Sequence, residues 1–118
     1  MFNFLRRPAQ PCPSVQEIAA TVARGDMALV DVREMAEVNA SGKAKGATVI
    51  PLSILGLKCT PSTPDCMIAQ GKPVALYCAS GGRSSMAAQT LKGMGYPEVH
   101  NIGGLGDWVA GGGQVERV

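Results

Sequence analysis

The segment from Val74 to Arg83 limits the choice of fold more than any other part of the chain. Val74-Ala75-Leu76-Tyr77 is an unbroken apolar run with Cys78 at its tip, and Ser80-Gly81-Gly82 interrupts it. From Arg83 the pattern turns helical, with Ala87, Leu91 and Met94 on one face and Gly95 as the stop. Strand, tight loop and helix in that order form half of a β-α-β unit.

The remaining segments repeat the alternation. Ser14-Val15-Gln16-Glu17 has the form of a capping box, and Val15, Ile18, Ala19 and Val22 continue it as a helix to about Arg24, with Gly25 as its end. Met27-Ala28-Leu29-Val30-Asp31-Val32 reads as a strand buried on both faces, with Asp31 and Arg33 at its carboxyl end. The pattern then predicts a short helix over 34–39, a turn at Ser41-Gly42, a strand over 47–50 closed by Pro51, and a helical turn over 52–57. Residues 59–71, rich in Pro, Ser and Thr, read as loop, 98–102 as a further strand, and Gly103-Gly104 as the opening of a short helix carrying Trp108. Strands alternating with helices imply an α/β fold with a central, mostly parallel sheet flanked by helices. Such sheets bind ligands at the carboxyl ends of their strands, where Cys78 lies.

With 118 residues, the chain has room for one core. We read 1–13, with three prolines and no periodicity, as a tail and 14–118 as the domain. A formal charge of +2 with two Phe, two Tyr and one Trp argues against nucleic acid as a partner. No apolar run approaches the roughly 20 residues that span a bilayer, so no membrane association is expected. At the N-terminus the apolar residues precede Arg6 and Arg7, the reverse of a secretory signal, which makes the cytoplasm the expected compartment. Cys12, Cys59, Cys66 and Cys78 match no C-x-x-C spacing, and no metal or organic cofactor is implied.

Cys78-Ala79-Ser80-Gly81-Gly82-Arg83 sets a thiol between a buried strand and a helix N-terminus, where backbone N–H groups lack intrahelical partners. Paired glycines can take the positive-φ conformations that turn such groups inward as a nest, and the helix dipole adds positive potential. Both favour a thiolate, the reactive form of cysteine. Arg83 adds fixed charge, and Ser80 and Ser84 add hydroxyl donors.

This loop has the Cys-x-x-x-x-Arg form of the single-domain rhodaneses, a sulfurtransferase family, and other segments resemble that family in the same order. Leu29-Val30-Asp31-Val32-Arg33-Glu34 is similar to its D-V-R-E strand end, Gly46-Ala47 with Ile50-Pro51-Leu52 to its G-A-x-x-I-P-L, and Gly103-Gly104-Leu105-Gly106-Asp107-Trp108 to its closing G-G-x-x-x-W. The resemblance covers roughly residues 14–118 and implies the three-layer rhodanese-like fold. It also implies that Cys78 is a sulfur-carrying nucleophile cradled by the backbone of Ala79, Ser80, Gly81, Gly82 and Arg83. Asp31 is then expected to pair with Arg83, and Arg33 to lie on the rim where an anionic donor approaches. The implied substrates are a small sulfur donor, thiosulfate or a persulfide, and a thiol acceptor that can be a protein. Where the family has G-H-I-x-G-A, this chain reads Gly42-Lys43-Ala44-Lys45-Gly46-Ala47. Lys43 and Lys45 there read as solvated turn lysines, with added charge near the entrance as the other reading.

Two other functions compete. A Cys-dependent phosphatase of related fold also backs its cysteine with an arginine, but its loop is longer by a residue. The four residues between Cys78 and Arg83 suit a sulfane sulfur better than a phosphoryl group. A non-catalytic binding or regulatory module would retain the fold, yet such members typically lack the cysteine. Trp108 reads as core packing and His100 as structural. The role of Cys59 and Cys66 is left open by the sequence, a resolving thiol toward Cys78 being one reading.

Overall fold

The computed structural model describes residues 12–118. The tail reading therefore lies almost wholly outside the described residues. Helix α1 (Val15–Ala23) opens on the expected reciprocal cap, with Ser14 Oγ accepting from Glu17 N at 3.1 Å and Glu17 Oε1 from Ser14 N at 2.8 Å. There follow β1 (Ala28–Asp31), α2 (Met35–Ser41), β2 (Lys43–Ala44), β3 (Thr48–Val49), α3 (Leu52–Lys58), β4 (Val74–Cys78), α4 (Gly82–Gly93), β5 (Val99–Gly104), α5 (Leu105–Ala110) and β6 (Val115–Glu116).

Four parallel strands form the central sheet in the order β3-β1-β4-β5. Every residue of β4 is buried, as an apolar strand without alternation requires. Its even-numbered residues Val74, Leu76 and Cys78 pack with Leu55 of α3 and Ala87 and Leu91 of α4. Ala75 and Tyr77 point to the other face, where Ile18 of α1 and Trp108 of α5 close a second core. The result is three layers, helix pair, sheet and helix pair. The chain turns from β1 toward β3 on one side and from β4 toward β5 on the other, so the topological switch lies between β1 and β4. Asp31 and Tyr77 face each other across it, and Cys78 stands one residue further on.

A small antiparallel pair, β2 with β6, was not foreseen. It is built where the chain departs from the family motif. Lys43 Nζ donates to Ala47 O and to Glu116 Oε2, each at 2.7 Å, and buried Ala44 donates its N–H to Tyr77 Oη at 2.8 Å. Lys43 is thus a half-buried strand residue, not a solvated turn lysine, because its partner strand comes from the far end of the chain. Lys45 is exposed. Among the described residues no helix is long and apolar enough to cross a membrane.

Candidate functional site

Beyond Cys78 the chain leaves the sheet and turns at once into α4. Gly81, the residue before the helix, has φ +106°, a left-handed conformation that a side chain would strain. That turn brings the Gly81 N–H to 2.9 Å from Cys78 Sγ, and the Ser84 hydroxyl, from the first turn of α4, stands 3.4 Å away. The β5–α5 junction backs the loop so closely that a Cβ on Gly104 would lie 2.2 Å from the Ala79 carbonyl oxygen. Cys78 itself is buried, with 1% of its surface accessible. Ala79, Ser80 and Gly82 form the exposed outside of the loop around it.

Burial by itself raises a thiol pKa, and it is the largest single influence on Cys78. It is outweighed by the Ser84 hydroxyl together with the backbone N–H groups of Ser84, Gly81 and Ser80, which bring the pKa down from 9.0 to about 7. At neutral pH about half of such a cysteine is thiolate, against about a few per cent for an unperturbed one.

The expected brace between Asp31 and Arg83 does not form. Asp31 shares a sheet face with Leu29 and Tyr77, whereas Cys78 belongs to the opposite face, and strand parity keeps the two apart. Asp31 instead takes Arg33, with Nε to Oδ1 at 2.9 Å and Nη2 to Oδ2 at 2.7 Å, and accepts the Tyr77 hydroxyl at 2.5 Å. The rim position expected for Arg33 is corrected by the same contacts. Its side chain is buried, with Nη1 donating to Ser41 Oγ and Nη2 to Gly42 O, both at 2.7 Å. Arg33 ties β1 to the end of α2, where no donor molecule can reach it.

Arg83 is braced by Glu37, 46 residues away in sequence, through paired bonds of 2.7 and 2.8 Å. Glu37 Oε2 also accepts the Glu34 N–H at 2.9 Å at the start of α2. Arg83, then that backbone donor, holds the Glu37 carboxyl down at about 2. The Arg83 pKa is raised, chiefly by Glu37 and with a smaller contribution from Cys78. An acidic residue in the first turn of the helix that follows β1 is the only sequence signal for Glu37, and nothing in the sequence joins it to Arg83. Asn101 of β5 was likewise missed; its Oδ1 lies 2.7 Å from the Ser84 hydroxyl.

His100 is buried with Nε2 2.6 Å from Glu98 Oε2, in keeping with a structural role. Trp108 is buried and donates Nε1–H to Gln114 O at 2.7 Å. Burial, then the neighbouring Cys66, pushes the Cys59 thiol up to about 11, the wrong direction for a resolving nucleophile. Cys66 lies beside the Ile68 carbonyl, with Sγ to O at 3.2 Å.

A family model for the rhodanese-like domain matches residues 14–111. The chain belongs to the rhodanese-like domain family. The uncharacterized protein YqhL of Bacillus subtilis is 40% identical over 89 residues, which cover 75% of this chain and 63% of that protein, so this domain spans less than two thirds of its length. The human thiosulfate:glutathione sulfurtransferase is 30% identical over 102 residues, 80% of this chain and 88% of that one. Among solved structures, a human single-domain sulfurtransferase superposes with a TM-score of 0.67 at 28% identity, covering 86% of this rhodanese-like domain and 97% of its own chain. The fold is the rhodanese fold.

Proposed function

We propose that this rhodanese-like domain is a sulfurtransferase that carries sulfane sulfur on Cys78. The observation that supports this most is the set of donors on that sulfur. The Gly81 N–H at 2.9 Å and the Ser84 hydroxyl at 3.4 Å, at the head of a helix, favour a thiolate in a place where burial alone would suppress it. The names of its relatives supply the substrate classes: thiosulfate as donor and a thiol as acceptor.

In the first step the Cys78 thiolate attacks the outer sulfur of thiosulfate. The sulfur–sulfur bond of thiosulfate breaks, sulfite leaves with the electron pair, and Cys78 holds a persulfide anion. In the second step an acceptor thiolate attacks the outer sulfur of that persulfide, takes it as a new persulfide, and returns Cys78 as thiolate. Charge balances in both steps and no redox partner is needed. Arg83, fixed by Glu37 beside the loop, supplies positive potential for the incoming dianion.

The burial of Cys78 favours a second reading, a binding module whose cysteine is out of reach of any donor. One experiment separates the two. Purified protein incubated with thiosulfate and weighed intact should gain the mass of one sulfur, and Cys78→Ser should gain none. No gain on the wild-type protein sinks the sulfurtransferase reading.

A further inference from the structure

Ser84 has one hydroxyl proton, and four acceptors surround it: Asn101 Oδ1 at 2.7 Å, Gly81 O at 3.2 Å, Gly103 O at 3.3 Å and Cys78 Sγ at 3.4 Å. It can serve only one of them well. The shortest distance is to Asn101, so the one hydroxyl donor beside the sulfur is engaged elsewhere.

An irregularity in β5 puts Asn101 there. Asn101 lies opposite Leu76 and Gly103 opposite Tyr77, which leaves Ile102 as an extra residue. Such a bulge re-aims side chains and frees backbone groups. Asn101 Oδ1 accepts the Gly103 N–H at 2.9 Å, and Nδ2 donates to Gly81 O at 3.3 Å. Reversing the amide would set its NH2 against the Gly103 N–H and its oxygen against a carbonyl, so the network determines which way Asn101 points.

We propose that Asn101 is a positioning residue that competes with the Cys78 sulfur for the Ser84 proton, holding the hydroxyl off a neutral sulfur and yielding it to a charged one. A hydrogen bond to an ionised acceptor is roughly twice as strong as one between neutral groups, so charge on Sγ outbids the amide oxygen. Within the sulfur-carrying reading, on which this part rests, the hydroxyl follows the charge. It serves Sγ while the thiolate attacks, returns to Asn101 when the charge moves to the outer sulfur of the persulfide, and comes back as Sγ leaves as thiolate. Asn101 thereby limits how far the thiolate is stabilised, which preserves its nucleophilicity.

The test is the pH dependence of Cys78 alkylation by iodoacetamide, read peptide by peptide in the full chain for wild type, Asn101→Ala, Ser84→Ala and the double variant. Asn101→Ala should lower the midpoint by about half a pH unit, since the hydroxyl then loses its shortest competing acceptor and only the longer contacts to the Gly81 and Gly103 carbonyls remain beside the sulfur. Ser84→Ala should raise it, and the double variant should coincide with Ser84→Ala. An Asn101 that merely supports the fold would raise the midpoint, leave it unmoved, or shift it as much without Ser84 as with it, and each of these outcomes overturns the proposal. Asn101→Val, suited to a strand, replaces the alanine variant if that one fails to fold. Alkylation requires no sulfur donor, so failure of thiosulfate labelling and failure of this competition are separate results.

Discussion

At the scale of single residues, the site depends on two acceptors placed to hold a neighbour, and Glu37 is the one whose effect is readable in acid. Its folded pKa is depressed from 4.5 to about 2, so the Arg83 pair stabilises the protein fully above the unfolded value. That stability is lost as pH falls from there through about 2. Both partners are about one-third exposed, which limits the pair to about 0.5–1 kcal/mol. Glu37→Gln has no carboxylate to protonate. Urea unfolding should therefore find it weaker than wild type by that amount at pH 6 and by only a small part of it at pH 2, where the folded carboxyl is half protonated, and an equal gap at both would rule the linkage out.

At the scale of elements, the β4–α4 loop is held from outside by the β5–α5 junction. A methyl at Gly104 would run into the Ala79 carbonyl and the Ser80 Cα, backbone atoms that cannot swing aside as the end of a side chain would. Gly104→Ala should cost about 1–3 kcal/mol of stability by overpacking. It should also push the loop off α5 and move the Gly81 N–H away from the sulfur, raising the midpoint of Cys78 alkylation. Unfolding midpoints and alkylation profiles that both match wild type would show that the junction does not hold the loop.

At the scale of the whole molecule, strand parity divides the sheet into a reactive face and a structural one. Cys78 belongs with α3 and α4, while Tyr77, Asp31 and Arg33 form a buried polar plug on the side of α1 and α5. Tyr77 also holds Ala44 of β2, so this plug joins the main sheet to the small β2–β6 sheet. Tyr77→Phe strands the Ala44 N–H and removes a donor from Asp31, and should cost about 1–3 kcal/mol. The alkylation midpoint of Cys78, on the other face, should stay where it is. A large shift in that midpoint would mean that the two faces are coupled.

Read as sequence, the chain declares whatever depends on neighbours along it. The capping box at Ser14, the apolar run of β4, the glycines that stop α1 and α4, and the loop from Cys78 to Arg83 are all short-range patterns, and the structure has each of them. Long-range partners were legible only where a residue's parity or helix turn was followed through. Asp31 could have been assigned to the Tyr77 face by counting along β1, but Glu37 with Arg83, Lys43 with Glu116, and Asn101 with Ser84 are contacts across 46, 73 and 17 residues. Tertiary structure decided those pairs, because a hydrogen bond depends on where two side chains arrive in space, and local conformational preference says nothing about that until the sheet order and its one bulge are known.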